Sequence, residues 1–549
     1  MNDPSKHQAP WYVDAIFYSV DLARFRDSDR NGYGDFRGLT EKLEYLQWLG
    51  IDAIWLLPFY RSPRDDNGYD VTDHYEIDPR LGNTGDFVAF LREAEHRDID
   101  VVIDLVINHT SIDHRWFDES RDPDSPRRSW YVWTDDLETA PEYPVVFPPI
   151  QKSTWTWDDR GRGYYLHHFH DFEPDLNTQN PDFQTEIQNM IEYWIRLGVR
   201  GFRVDGAAFF GQKRDRDPVA SHALLENIHR WAHGIHEETA LLPELNLARE
   251  QLEAYVNDGQ AQALFNFLGS QYLFLALATG DAGYARQVIE MTPQGHDSLQ
   301  WLTFLRNQDE LTLEHLTEDQ RQTVLDALSP DPDTHIYDRG SRRRLAALLD
   351  GDRRRMELAF SLIFALPGTP MFVAGDEIGM GDNLALDGRD AARLPMQWSA
   401  NEPNGGFSEA GVDSLITPVL KDGPFGIRHV NVEDQREDDA SFLNWVRAVI
   451  RLRKHANNWM LKTRPEIDLP STSVLQLIYR RADVDGAVRI VHNLSPEDAT
   501  VDPGISGEHE PALSSEGVTW NDESVTLGSF GYAWFVPDAP EERKGDTNA

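Results

Sequence analysis

DAIFYSV (14–20), LTEKLEYLQWLG (39–50), DAIWLLP (52–58), DFVAFLREAEHRDI (86–99) and VVIDLVIN (101–108) follow one another along residues 14–108. Short β-rich apolar runs alternate here with segments of helical period. The unit continues through GFRVDGA (201–207), ALLPELN (240–246), ALFNF (263–267), WLTFLRN (301–307) and TPMFVAG (369–375), which makes eight apolar runs. Eight strands separated by helices predict an α/β fold, a closed parallel (β/α)8 barrel. The competing open, doubly wound sheet would carry a Gly-rich phosphate loop opening a helix, and no segment matches one.

The alternation stops after the third run. Residues 111–175 are rich in Trp, Asp, Pro and Tyr without helical period, which predicts a loop-rich inserted subdomain, and loops of that length are usually functional. The barrel is expected over 11–110 and 176–460. From 465 to 537, LQLIYRRADVDG, AVRIVHNLS and GYAWFVP read as strands with turns between them, a C-terminal antiparallel β-sandwich. Residues 538–549 are expected to be a disordered tail.

The 549 residues suffice for a large barrel plus smaller modules. The formal net charge of −41 disfavours long-range attraction to nucleic acid or an anionic membrane. A neutral sugar is indifferent to it. Arg carries most of the positive charge, and the acidic excess reads as salt adaptation. The Arg342-Arg343-Arg344 and Arg353-Arg354-Arg355 runs read as ion-paired helix faces. With no Cys there is neither a disulfide nor a thiolate metal site. The start MNDPSKHQAP lacks the parts of a signal peptide, and no run of about 18 uncharged apolar residues spans a membrane, so a cytoplasmic location is expected. Self-association is left open.

Catalytic side chains of such a barrel sit at the C-terminal ends of its strands. The third run ends at Asp104 with Asn108 and His109 beyond it, the fourth at Arg203-Val204-Asp205, the fifth at Glu244-Leu245-Asn246, and the seventh at Arg306-Asn307-Gln308-Asp309. Glycoside cleavage needs one ionised carboxylate at the anomeric carbon and a second, protonated one at the leaving oxygen. Asp205 and Glu244, on adjacent strands, can supply that pair. Arg203 shares a strand face with Asp205, where its charge would keep the carboxylate ionised. Asp27-Ser28-Asp29-Arg30-Asn31-Gly32-Tyr33-Gly34-Asp35 places oxygen ligands at alternate positions, as calcium requires. His167, His168 and His170 lie close together, but no fourth ligand accompanies them and no zinc site is assigned.

DLVINHT (104–110), GFRVDGA, the strand-end Glu244 and FLRNQDEL (304–311) resemble the four signature segments of the α-amylase family of glycoside hydrolases and glucosyltransferases. NGYDVTDH (67–74), EPDLN (173–177), GDEIGMGDN (375–383), RLPMQW (393–398), LGSFGYAWF (527–535) and RRRLAALLDGDRRRMELAFSLIFALPGTP (342–370) resemble the trehalose synthase branch of that family, so the likeness spans nearly the whole chain. It implies Asp205 as nucleophile, Glu244 as acid/base and Asp309 as the carboxylate that binds sugar hydroxyls. It further implies His109 as a hydroxyl donor, Tyr69 stacking beneath the glucose, and Asp70 and Arg393 closing on its far hydroxyls. Calcium would be held by Asp27, Asp29, Asn31, Asp35 and the Tyr33 carbonyl, and a second cation by Asn108 and Asp175. The implied reaction interconverts maltose and trehalose by retaining double displacement, with some hydrolysis to glucose. A hydrolase of α-1,4-linked glucans using the same residues is the alternative. A carbohydrate-binding relative without turnover is a third reading, because two features depart from the family pattern. Gln308 stands where the family has His and cannot become cationic, and Glu244 is flanked by Pro243 and Leu245 where relatives carry smaller residues.

Overall fold

The computed structural model describes residues 10–537 except 212–217, 257–260, 294–298, 462, 482–485, 505–509 and 522. The tail expected over 538–549 lies outside the described residues. All eight apolar runs form strands of one parallel sheet: β1 (Phe17–Val20), β2 (Ala53–Leu56), β3 (Asp100–Leu105), β4 (Gly201–Val204), β5 (Ala240–Pro243), β6 (Ala263–Phe265), β7 (Gln300–Thr303) and β8 (Thr369–Val373). Hydrogen-bonded neighbours run β5-β4-β3-β2-β1-β8-β7-β6. The ring is completed where β5 meets β6. There the Gln262 N–H donates to the Leu241 carbonyl at 3.0 Å, and the Leu241 N–H donates to the Gln262 side chain at 2.9 Å.

The period of two along each strand sorts side chains between two cores. Phe17, Ala53, Trp55, Val102, Ala240, Leu242, Phe265, Leu302 and Met371 fill the barrel interior. Tyr18, Ile54, Leu56, Ile103, Phe202, Val204, Leu241 and Phe372 face the surrounding helices. Continued upward, the interior parity falls on Asp104, Arg203, Asp205 and Glu244, so the same alternation that packs the barrel aims these polar groups at its mouth.

The helices carry their own start and stop signals. Asn180 caps Pro181–Leu197 by accepting from the Asp182 and Phe183 N–H groups, and Gly198 ends the helix at φ 118°. Its apolar face, with Phe183, Ile187, Met190, Ile191 and Trp194, is buried in the outer core, where Trp194 packs on Phe59, Tyr60 and Phe87 and Phe183 on Trp116 and Trp130. Five of the six arginines in the two runs are ion-paired, Arg343 with Asp382, Arg344 with Asp376, Arg353 with Glu357, Arg354 with Asp352 and Arg355 with Asp350. Only the second run lies on a helix as expected: Arg342, Arg343 and Arg344 precede the helix Leu345–Leu348, and Arg342 donates to the Asp333, Leu384 and Leu386 carbonyls.

Between β3 and the helix at Pro181 the chain leaves the barrel. It forms a helix, Arg115–Ser120, and an antiparallel sheet of Trp133–Thr134, Gly163–Leu166 and Trp155–Asp158. The insertion thus has a sheet of its own, built from Trp and Tyr pairs that tolerate half-burial. C-terminal to the barrel, a five-stranded and a three-stranded antiparallel sheet enclose Val474, Val491, Val501, Val525, Leu527, Ala533 and Phe535. The outer face of the larger sheet lies on the helix Arg353–Ala365. Its Ser361 hydroxyl meets His492 Nε2 at 2.9 Å and the Trp534 indole N–H at 2.8 Å. Among the described residues, no helix is long and apolar enough to cross a membrane.

Two buried histidines set an acid limit on the fold. Burial lowers His492 from 6.5 to about 3 and His74 from 6.5 to about 4. Each is therefore neutral in the native state, and its contribution is present above pH 6.5 and lost as pH falls toward the folded values. The urea midpoint is expected to drop between pH 6.5 and 4, and a His492→Gln variant should show a shallower drop than the parent protein. An equal slope in the two would remove His492 from the account.

Candidate active site

A cavity of about 290 Å3 opens at the C-terminal end of the barrel. Tyr69, His109, Arg203, Asp205, Glu244 and Asp309 line it, together with Asp66, Phe147, Phe169, Phe209, Glu310, Glu314, Arg339 and Arg389. Six of the nine residues assigned from sequence to catalysis or sugar binding are therefore on its wall. The other three, Asp70, Gln308 and Arg393, stand behind it.

Arg203 is the centre of the charge arrangement. It is 2% exposed, and its Nη1 donates to Asp104 at 2.6 Å and to Asp205 at 2.5 Å, while its Nη2 lies 2.5 Å from Glu244. The aromatic faces of Trp55 and Tyr69 flank the guanidinium at 5.2 and 5.7 Å. One fixed cation thus holds both carboxylates of the expected catalytic pair, and the planar fork fixes their mutual orientation. Gly206 follows Asp205 at φ 56°, a left-handed conformation that glycine adopts without strain, and its N–H donates to Glu244 Oε2 at 3.2 Å.

Burial pushes Glu244 above the ordinary carboxylate range. Arg203 opposes the shift, and the charges of Asp205 and Asp309 add to it. Asp205 is also raised by burial, with Arg203 pulling down and Asp309 pushing up. Arg203 therefore counters the desolvation of Asp205 without overcoming it. The two groups share one guanidinium, so a proton on Glu244 leaves that charge to Asp205. Asp104 rises to about 7 through burial, moderated by Arg203, and is fixed by the Trp55 indole N–H at 2.9 Å.

Asp309 accepts from Arg393 Nη2 at 2.7 Å and lies 3.3 Å from Arg389 Nη1. Gln308 Nε2 reaches the Tyr69 hydroxyl at 3.2 Å and Asp309 Oδ2 at 3.3 Å, tying the aromatic floor to that carboxylate. Arg393 also donates to the Gln308 carbonyl at 3.2 Å, so its charge is turned toward Asp309 and not toward the cavity. Asp70 is fully buried, accepting from the Ser62 hydroxyl at 2.7 Å and the Asp65 N–H at 2.9 Å. A left-handed turn at Asn67 (φ 55°) and Gly68 (φ 109°) separates it from Asp66, and it is Asp66 that faces the cavity.

Arg389 was not singled out from sequence. It pairs with Glu310 at 2.7 Å and lies over the rings of Phe147 and Tyr337 at 5.0 and 5.5 Å. Burial would raise Glu310, but Arg389 and Arg339 hold it at about 2. Phe147 comes from the inserted subdomain. Its loop is pinned by the Gln151 side chain, which accepts from the Val146 and Phe147 N–H groups at 2.7 and 3.1 Å. Barrel and insertion therefore meet across the mouth of the cavity through an arginine and two aromatic rings. The only signal in the sequence was the aromatic richness of the insertion.

In the loop read as a cation site, carboxylate oxygens of Asp27, Asp29 and Asp35 lie within 4.8 Å of one another, which suits a hard cation. Asn31 faces differently: its amide donates to the Arg80 carbonyl at 2.8 Å and its oxygen accepts from the Tyr33 N–H at 2.8 Å. The Tyr33 ring lies under Arg80. At the second expected site, both oxygens of Asp175 accept from His168, through its N–H and its Nδ1, while Asn108 Nδ2 has no partner. A cation between Asn108 and Asp175 would require His168 to turn away.

A barrel with paired carboxylates on neighbouring strand ends, bridged by an arginine two residues before one of them, defines an enzyme class that works on glycosidic bonds. Residues 21–462 match the family model described as "Alpha amylase, catalytic domain", and the chain belongs to the α-amylase family. It is 38% identical to the trehalose synthase/amylase of Mycolicibacterium smegmatis, with 97% of this chain and 94% of that protein covered. It is 36% identical to the trehalose synthase of Pimelobacter, covering 97% and 96%. Identity to the trehalose synthase of Thermus thermophilus is 39% over 88% of this chain, which spans half the length of that relative. Among solved structures, an inactive double mutant of MutB in complex with isomaltulose superposes with a TM-score of 0.77 at 24% identity, covering 96% of this chain and 99% of that one.

Proposed function

We propose that this chain is a trehalose synthase that interconverts maltose and trehalose. The observation that carries the reading is the bridging of Asp205 and Glu244 by Arg203 at the floor of a cavity whose mouth is crowded by Phe147, Arg389 and Tyr337. At about 290 Å3 the cavity is at the small end of ligand pockets, which run to about 1,000 Å3. It suits a disaccharide better than a polymer. The likeness to trehalose synthases over nearly the full chain supports the same reading.

Asp205 attacks the anomeric carbon of the terminal glucosyl unit while Glu244 delivers its proton to the departing oxygen, leaving a β-linked glucosyl-enzyme. Loss of that proton returns the full charge of Arg203 to Glu244, which prepares it as a base. The released glucose turns over inside the pocket, Glu244 takes the proton of its anomeric hydroxyl, and that oxygen attacks the glucosyl-enzyme. Two inversions give net retention and an α,α-1,1 linkage. Asp309, oriented by Arg393 and Gln308, accepts from sugar hydroxyls, and His109 donates to one. Water that enters before the second attack gives free glucose.

Incubation of the purified protein with maltose, followed by chromatographic separation of trehalose from glucose, tests the reading. Trehalose as the main product is the expected result. Glucose alone would mark an α-glucosidase, and unchanged maltose a binding protein.

The same reading includes a structural calcium ion at Asp27, Asp29 and Asp35. Three carboxylates crowd there, and Asp27 also ties the loop to Ser408 at 2.5 Å. Calcium is expected to raise Tm by several degrees over protein treated with chelator, an increment lost in Asp29→Ala. An unchanged Tm in the parent protein would remove the ion.

A further inference from the structure

A second set of metal-type ligands stands on the wall of the same cavity. Ligand atoms of Asp66, His170 and Glu173 all lie within 4.8 Å of one another. Glu173 is fully buried. Its Oε2 accepts from the His170 N–H at 3.2 Å, and its Oε1 has no hydrogen-bond partner. His109, 2% exposed, likewise has neither ring nitrogen hydrogen-bonded, and its Nε2 stands 3.7 Å from that bare Glu173 oxygen. The His170 ring is held between Phe147 and Phe172, stacked at 4.8 Å from each. Asp66 lines the cavity, so the cluster is reached from solvent through it.

The other two histidines of the run do not join: His168 contacts Asp175, and His167 Nε2 is 3.0 Å from the Thr156 hydroxyl. The carboxylates that complement His170 come instead from the β2–β3 connection and from three residues further along the chain.

We propose that Asp66, His170 and Glu173 bind a divalent transition-metal ion such as zinc, in competition with sugar. Two carboxylates and one imidazole are a borderline donor set that favours zinc over calcium, unlike the all-oxygen Asp27 loop. Three protein ligands leave a position open toward the cavity, where an ion would stand beside His109 and oppose occupation by a glucoside. The binding claim rests on the cluster alone, whereas the competition also rests on the cavity being the sugar site.

The test is calorimetric titration of the metal-stripped full chain with zinc chloride, in calcium-containing buffer so that the Asp27 loop does not contribute. One zinc ion per chain is expected, with affinity falling by about tenfold or more in both His170→Ala and the nearly isosteric Glu173→Gln. Absence of binding would overturn the proposal. So would binding of equal strength in both variants, which would place the ion elsewhere, for instance on other histidines. Thermal melts of the variants separate loss of the site from loss of the fold. Saturating maltose is expected to weaken zinc binding in the parent protein. Variant-sensitive binding that ignores maltose would uphold the metal site and overturn the competition.

Discussion

Asp205→Asn is expected to lower kcat on maltose by at least about 10^4-fold, the order seen when a nucleophile acting within a catalytic unit is removed. The substitution keeps size and the capacity to accept from Arg203 but abolishes attack on the anomeric carbon. No neighbouring carboxylate can substitute. Asp104 is committed to Arg203 and Trp55, and Asp309 to Arg393 and Gln308. Maltose binding should survive within a few fold, because most of the cavity wall is untouched. Single-turnover assays on maltose would measure the loss, and retention of even one per cent of the rate would move the nucleophile elsewhere.

Arg203→Leu is expected to be the most destabilising single change at the site. It removes the one cation shared by Asp104, Asp205 and Glu244, of which the first two are buried and the third is half-buried. Leaving a buried charge unpaired costs about 3–5 kcal/mol, so a large drop in the urea midpoint should accompany loss of activity. The direction with pH follows from the same groups. Without Arg203 their folded-state values rise further above those of the unfolded chain, so the native state binds protons more readily. Stability then is greatest below the ordinary carboxylate range and falls as pH rises, for Asp104 through a folded value that already stands at about 7. The deficit of Arg203→Leu should therefore grow between pH 4 and 7. Arg203→Lys, with charge but no planar fork, should recover part of the stability and little of the rate. A deficit independent of pH would assign Arg203 a packing role only.

The barrel was legible because each strand is a short, mostly apolar run, and strands and helices of that kind are local in sequence. The polar groups at the strand ends were legible for the same reason: Asp104, Arg203, Asp205 and Glu244 continue a strand's parity. What lay between strands was not. Asp66 and Asp70 are four residues apart, and the left-handed turn at Asn67–Gly68 decides which of them reaches the cavity. Arg389 and Phe147 come from connections 242 residues apart in sequence and meet only through tertiary packing (389 − 147). The role of Gln262 as a seam between β5 and β6 depends on closure of the ring, which no local pattern records. The departure at position 308 also looks different in three dimensions. Gln308 serves as a tether between Tyr69 and Asp309, a task an amide performs without charge.

The docking of the C-terminal sheet on the helix Arg353–Ala365 imposes an order on biosynthesis. Asp104, Arg203, Glu244 and Asp309 leave the ribosome long before Tyr532, yet on the helix that leads into the eighth barrel strand Ser361 bonds to His492 and Trp534, Glu357 accepts from Tyr532 as well as from Arg353, and the Ala365 carbonyl accepts from Tyr479. A nascent chain can thus gather most of its catalytic groups while its final stave still lacks its cover. The terminal sheet acts as a late clasp, and synthesis halted before Tyr532 leaves Glu357 without the Tyr532 hydroxyl and Ser361 without the Trp534 indole N–H.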